Sequence, residues 1–483
     1  MQFIVIQRVT GLLLMIFSTT MLPPLAVSFF YHDGAHLPFI YAFGLTLFAG
    51  LFIWAPVHAV RRDIRLRDGF VIVTLFWTSL AMVGALPLAM ADHPHMPLVD
   101  AFFESMSGLT TTGATVLTGI DELPRSILYY RQQLQWLGGM GIVVLAVAVM
   151  PMLGIGGMQL YRAETPGPIK DSKLTPRITE TAKALWYIYL GLTVICALAY
   201  KAAGMDWFDA VGHSFSTIAI GGFSTHDQSI GFFNSSAINA IAIVFMLLAG
   251  INFALHFMAW RARNPLVYWH DAEVRAYLVI ILGVCSISVV TLVAQNTYDS
   301  WQEAVDHGLF QAVSIATTTG FTTNGFAWWP LFLPVLLMLA SFIGGCASST
   351  AGGMKVIRIL LLVKQGKREI LRLIHPEAII PIKVGGKPTQ DRVINAVWGF
   401  FSLYVLSFGI LSLIMMATGA DLETSFSAVA ACLNNLGPGL GNVAQTYSGV
   451  TDIGKWVLCF AMLMGRLELF TLLVLFSPAF WRS

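Results

Sequence analysis

Four short glycine-bearing loops recur along this chain, and any fold it adopts must place all four. They are Thr110-Thr111-Thr112-Gly113, Ala219-Ile220-Gly221-Gly222, Thr317-Thr318-Thr319-Gly320 and Asn434-Asn435-Leu436-Gly437. Aligned on the last glycine, they share a register. Six residues earlier stand Ser107, Ser216, Ser314 and Ala431; eleven earlier stand Phe102, Val211, Leu309 and Phe426. Each loop follows an amphipathic stretch, at 98–109, 207–218, 302–316 and 422–433, that is too short to cross a bilayer. A register held by four separate segments marks internal repeats.

The surroundings of these loops are apolar. Of 483 residues, 56% are hydrophobic and 11% charged, against about 25% charged in a soluble domain. Spans are predicted to begin near Phe3, Phe39, Phe70, Ile127, Ala184, Ala237, Ala276, Leu331, Val393 and Ile453, each allotted roughly 20 residues. The expected fold is therefore an all-α polytopic membrane protein. Two extra N-terminal spans (1–66) precede four fused span–pore helix–span units: 67–162, 163–263, 264–375 with a broken inner helix, and 376–483. The first span lacks a basic lead-in and a small-residue cleavage site, so it is expected to be retained. Cys196, Cys285, Cys346, Cys432 and Cys459 are scattered without a C-x-x-C pair and read as packing residues. No basic stripe with interleaved aromatics points to nucleic acid.

Non-helical backbone at membrane depth is tolerated only inside protein or beside water. The four short segments are therefore predicted as re-entrant helices whose loops meet on one wet axis. A dehydrated cation there needs oxygens, which carbonyl rings can supply. Thr111 and Thr112, Ile220 and Gly221, Thr318 and Thr319, and Asn435 and Leu436 precede the four glycines. Their side chains differ too much to share a chemistry, so the backbone carbonyls are the expected ligands. Gly113, Gly222, Gly320 and Gly437 permit the turns this requires. Each short helix also opens on acids: Asp100 and Glu104, Asp206 and Asp209, Glu303 and Asp306, Asp421 and Glu423. Two roles stand open for them, capping helix starts and concentrating cations at a mouth.

Orientation follows from the basic residues. With the N-terminus inside, every Lys and Arg except Arg125, Arg131, Lys201, Lys455 and Arg466 falls on an inner segment. The positive-inside rule then puts both termini in the cytoplasm and the loops toward the outside.

The eighth span is interrupted by Gly344-Gly345-Cys346-Ala347-Ser348-Ser349-Thr350-Ala351-Gly352-Gly353. Each interior glycine costs a helix about 1 kcal/mol, so the run is expected to unwind in mid-membrane below the third loop. Close packing by small residues is the alternative. Lys355, just past the run, would anchor its inner end or face the pathway. Arg466 lies within the last span, where a charge must find water or a partner; on the pathway it would repel cations. Glu468 is on another helix face and suits it poorly as a partner. Arg131 reads as a snorkelling interface residue. His32, His36, His93, His95, His213, His226 and His307 fall outside without metal-ligand spacing.

Four fused span–pore helix–span units in one chain resemble the Trk/Ktr/HKT superfamily of cation transporters. The two extra N-terminal spans, Ser107-Gly108-Leu109-Thr110-Thr111-Thr112-Gly113 and Gly465-Arg466-Leu467-Glu468 carry the likeness to its bacterial branch. The resemblance implies potassium uptake across the bacterial inner membrane and a homodimer with one pore per subunit. It also implies a cytoplasmic nucleotide-binding regulator of TrkA type, and passage of Rb⁺ with K⁺. It assigns Gly344, Gly345, Gly352, Gly353, Lys355 and Arg466 to an intramembrane gate. In plant members, serine at the first loop glycine accompanies sodium preference, so Gly113 implies potassium. No organic cofactor is expected, and membrane lipid is the expected surround. A proton- or sodium-coupled symporter with alternating access is the alternative, though such proteins usually show inverted repeats and mid-span acids. No nucleophile–base pair, H-E-x-x-H or Walker loop suggests an enzyme.

Overall fold

The computed structural model describes residues 1–59, 66–148 and 178–482. Arg61, Arg62, Arg65, Arg162, Lys170, Lys173 and Arg177, and the expected unit boundary at 162–163, lie outside the described residues.

Helices dominate the described residues, and the strands among them form one hairpin of two residues a side, Lys383–Val384 against Lys387–Pro388. Helices α1 (Phe3–Ser18) and α2 (Leu22–Tyr31) run on through one tighter turn as a single 29-residue span, longer than the first span predicted. Helix α3 (His36–Trp54) packs on α1 where Gly11 meets Trp54 and Gly50 meets Met15. Small residues at such a crossing let two backbones approach closely, which is how helices associate in lipid.

Four units follow. The first has α4 (Leu66–Gly84), short α5 (Leu98–Leu109) and α6 (Arg125–Ala148). The second has α7 (Ile178–Ala202), short α8 (Trp207–Ala219), α9 (Ser236–Ala249) and α10 (Phe253–Ala262). The third has α11 (Ala272–Ala294), short α12 (Trp301–Ala316), α13 (Leu333–Ile343) and α14 (Val356–Ile374). The fourth has α15 (Asp391–Ala417), short α16 (Leu422–Leu433), α17 (Asp452–Arg466) and α18 (Leu469–Leu473). The short helices fall within a residue of the predicted stretches.

Among the described residues, six helices are long and apolar enough to cross a membrane, or eight if each bent pair counts as one span. Two spans predicted as continuous are bent instead. The one expected from Ala237 turns by 94° between α9 and α10, and the one from Ile453 by 116° after α17. The first bend has a local cause: Asn252 caps α10, its side chain accepting from the Ala254 N–H at 2.9 Å. Helix α6 also departs from an apolar span, because Arg131, Gln132, Gln133 and Gln135 on it are buried. Outward-facing positions on the long helices are apolar instead, as at Phe48, Phe52, Leu282 and Leu413. That arrangement suits a solvent of lipid.

Candidate functional site

Each short helix ends in the same way. The N–H of the residue before the loop glycine donates to the carbonyl five residues back: Thr112 to Ser107, Gly221 to Ser216, Thr319 to Ser314 (each 2.8 Å) and Leu436 to Ala431 (2.7 Å). A second bond nests inside it, Thr111 to Gly108, Ile220 to Thr217, Thr318 to Ile315 and Asn435 to Cys432. This is a Schellman ending, which needs a left-handed residue just past the helix, usually glycine. Here those residues are Thr111 (φ 49°), Ile220 (54°), Thr318 (66°) and Asn435 (53°). The left-handed region costs an L-residue about 1–2 kcal/mol, and for β-branched side chains it is a true outlier. The conformation recurs in all four loops and falls on a β-branched residue in three of them, which makes the loops a candidate functional feature.

Two residues later the chain is left-handed again, at Gly113, Gly222, Gly320 and Gly437, with φ from 78° to 98°. The residue between is not. Alternating the sign of φ turns successive carbonyls toward one side. The glycines also interlock. A Cβ on Gly113 would overlap the Gly221 carbonyl oxygen, one on Gly222 the Thr319 oxygen, and one on Gly320 the Leu436 oxygen. One on Gly437 would stand 2.7 Å from the Thr112 oxygen. Each loop thus abuts the next in chain order and the fourth returns to the first. All eight residues read as carbonyl ligands lie in this closed ring, and Thr110 to Thr112, Thr317 to Thr319 and Asn434 to Asn435 are wholly buried.

The interruption between α13 and α14 sits against the ring. The Gly352 N–H donates to Thr318 Oγ1 at 2.6 Å, the Thr350 hydroxyl to the Ile218 carbonyl at 2.9 Å, and the Gly353 N–H to the Asn434 carbonyl at 3.1 Å. A Cβ on Gly352 would overlap that same Asn434 oxygen, and one on Gly344 the Gly352 oxygen. Beside Gly345, the Cys346 N–H donates to the Gly250 carbonyl at 2.8 Å. Lys355 is left-handed (φ 78°) and its ammonium donates to the Ala351 carbonyl, so it closes the segment on itself. Arg466 completes the contact with the remaining loop. Its Nε donates to the Thr110 carbonyl and its Nη1 to the Thr350 carbonyl at 3.2 Å. Among the described residues it has no carboxylate partner, and its Nη2 has no hydrogen bond. Glu468 pairs with Arg358 instead, at 2.9 Å.

Glu273, in the first turn of α11, holds this segment from the other side. One carboxylate oxygen accepts from the Ala347 N–H (2.7 Å), within the interruption, and from the Ile357 N–H (3.2 Å), in the first turn of α14. Alanine at 273 leaves two buried donors without an acceptor, about 1–3 kcal/mol each. Hydrogen exchange at Ala347 and Ile357 is expected to accelerate by about tenfold or more, and less in Glu273→Gln, which keeps an acceptor oxygen. Unaltered exchange in the alanine variant would remove Glu273 from this role.

The reading of Arg131 as a snorkelling residue is corrected. It is 1% exposed and pairs with fully buried Glu104 at 2.8 Å. It also bonds Thr115 Oγ1 (3.1 Å) and the Ser224 carbonyl (3.2 Å) and lies 4.3 Å from the Phe223 ring centre. Proximity to the start of a span suggested an interface, but the partner is a facing carboxylate on α5. Other acids are also engaged. Asp206 and Asp421 cap α8 and α16, and Asp100 pairs with Lys455 at 2.5 Å. His226, in the loop after α8, lies between Asp121, in the loop after α5, and Asp209 in the first turn of α8. Burial lowers its pKa, but the hydrogen bonds and charges of those two carboxylates outweigh it and leave the imidazole above its ordinary value. All five cysteines are free and buried.

Glu273, Gln135 and the Arg131–Glu104 pair fall outside the repeated loops and the glycine-rich run that mark the site in the sequence. Glu273 had a signal, an acid at the edge of the apolar span predicted from Ala276. Gln135 had a fainter one, an uncommon run of amides on a membrane helix.

Known proteins share both the sequence and this architecture. A family model described as "Cation transport protein", TrkH, matches residues 37–483. The chain is 59% identical over 485 residues to the Trk system potassium uptake protein TrkH of Vibrio parahaemolyticus, covering all of both chains. It is 55% identical over 483 residues to the protein of that name from Escherichia coli (strain K12), again over both full lengths. The crystal structure of the potassium transporter TrkH from Vibrio parahaemolyticus superposes with a TM-score of 0.93, at 57% identity and complete coverage of both chains. A membrane-spanning helical chain with this ring of loops, alike from end to end, belongs to the TrkH family of cation transport proteins.

Proposed function

We propose that this chain is the channel-like translocating subunit of a Trk-type potassium uptake system in a bacterial inner membrane. The observation that carries the reading is the closed ring of four left-handed glycines, each set against a carbonyl of the next loop. Carbonyls of Thr111, Thr112, Ile220, Gly221, Thr318, Thr319, Asn435 and Leu436 replace the hydration shell of K⁺, and of the similar Rb⁺. The C-terminal ends of the short helices, with their partial negative charge, favour a cation beside them. Below the ring, the segment 344–355 and Arg466 form the gate. A fixed guanidinium without a carboxylate partner among the described residues raises the barrier to a cation leaving inward.

The same proposal puts both termini in the cytoplasm, pairs two copies as a homodimer and gives the basic inner segments a nucleotide-binding regulator of TrkA type. The likeness to Trk proteins supports these parts.

Flux of K⁺, Rb⁺, Na⁺ and Li⁺ into liposomes holding the purified chain tests the reading. Rapid K⁺ and Rb⁺ entry without an imposed proton gradient is the expected result. Entry that appears only with such a gradient, and does not discriminate among the four ions, would replace this reading with a coupled symporter.

A further inference from the structure

The second loop is built differently from the first and third. In loop one the hydroxyls of Thr110 and Thr112 bond each other at 2.8 Å, and in loop three those of Thr317 and Thr319 do the same at 2.8 Å. Each pair ties the residue three before the glycine to the residue one before it, and so fixes the backbone between them. Loop four is braced from outside: the Asn434 carboxamide accepts from the Tyr404 hydroxyl and donates to Ser341 Oγ at 2.8 Å. Loop two has Ala219 and Gly221 at the corresponding positions and no hydroxyl at either. Two successive glycines there, Gly221 and Gly222, would leave the strand the most mobile of the four.

A side chain from the neighbouring unit occupies the gap. Gln135 on α6 donates from Nε2 to the Gly221 carbonyl at 2.6 Å, and its Oε1 accepts from the Phe223 N–H at 3.1 Å. Both ends of one carboxamide are used, and they straddle the left-handed Gly222. Gly221 then has a reason to be glycine, because any Cβ there would run into the Gln135 carboxamide. The contact belongs to a ladder on one helix face. Arg131, one turn earlier, reaches the Ser224 carbonyl (3.2 Å), and Gln132 the Phe223 carbonyl (3.5 Å). Gln135 is the rung that touches a proposed ion ligand.

We infer that Gln135 is a specificity-determining positioning residue: its carboxamide clamps the Gly221–Phe223 backbone and so sets the direction of the second loop's carbonyls. This rests on the ring being the selectivity filter. The clamp acts on the spacing of the oxygens, so its loss changes which ion is preferred as well as how fast ions pass.

The test is the K⁺ to Na⁺ permeability ratio, from reversal potentials of the full-length protein in bilayers. Gln135→Met keeps the bulk of the side chain and removes both bonds. The ratio is expected to fall by about fivefold to tenfold, the factor carried by roughly one buried hydrogen bond. Gln133→Met is the control: Gln133 is on the same helix, but its amide donates to the Thr20 carbonyl at 2.8 Å, and the ratio should hold. Gly221→Ala provides a second route, since its Cβ displaces the carboxamide while α6 stays intact; it should lower the ratio even if Gln135→Met does not assemble. A wild-type ratio in conducting Gln135→Met, or in Gly221→Ala, overturns the clamp. Gly113→Ser, run alongside, separates the two ideas. If it loses discrimination while Gln135→Met does not, the filter stands and the clamp falls; if neither moves, the filter reading itself has failed.

Discussion

Serine in place of Gly113 is expected to lower the preference for K⁺ over Na⁺ by about tenfold or more. Two costs arise together. At φ 82° a side chain is strained by about 1–2 kcal/mol, and the new Cβ would overlap the Gly221 carbonyl oxygen. The overlap cannot be relieved on the glycine's side alone, because loops two, three and four are interlocked behind it. A carbonyl proposed to ligate the ion must therefore turn away or shift outward. A change of about 1.4 kcal/mol in relative ion binding is already tenfold. The measurement is the reversal potential under opposed K⁺ and Na⁺ gradients. An unchanged ratio in a folded variant would show that these carbonyls do not select.

Replacing Arg466 with alanine is expected to raise K⁺ flux, by about tenfold at constant driving force. Two unit charges 4 Å apart interact by about 4 kcal/mol at the effective dielectric near a protein surface, so relief of even part of such repulsion reaches tenfold. The substitution also cuts the bonds to the Thr110 and Thr350 carbonyls and frees the segment beneath the ring. Arg466→Lys separates the two effects, since it keeps the charge but loses the fork that spans both carbonyls. Shortening residues 344–353 should likewise raise flux. If folded variants of both kinds conduct as the parent does, the gate lies elsewhere.

What could be read from the sequence had local causes. The short helices were legible because their amphipathic stretches end in a shared register. That register has a bond behind it: Ser107, Ser216, Ser314 and Ala431 each supply the carbonyl that closes a Schellman ending. The glycines at the loop ends were legible because only glycine takes that conformation cheaply. The left-handed backbone at Thr111, Ile220 and Thr318 was not, since local preference argues against a β-branched residue in that region and only the surrounding packing imposes it. Arg131 was misread because its partner, Glu104, lies on another helix. The bend after α9 had a local sign, Asn252 as a helix cap, which the length of the apolar run masked. Glu273 and Gln135 act on segments more than 70 residues away in sequence, beyond what spacing alone can show.

The segment 344–355 is bonded directly to loops three and four, to Ile218 in the last turn of α8 just before loop two, and, through Arg466, to loop one. It is therefore a thermodynamic partner of the ring as well as the proposed gate beside it. Any displacement that opens the segment breaks bonds to Ile218, Thr318 and Asn434, so the open and closed states differ in how firmly the ring is held. Ions that bind the two states unequally bias the segment, and by linkage whatever moves the segment biases ion binding by the same factor. In the proposed uptake system, occupancy of the ring would then be felt as a change in affinity for the proposed cytoplasmic regulator, and the ring would report bound potassium inward even while no ion crosses.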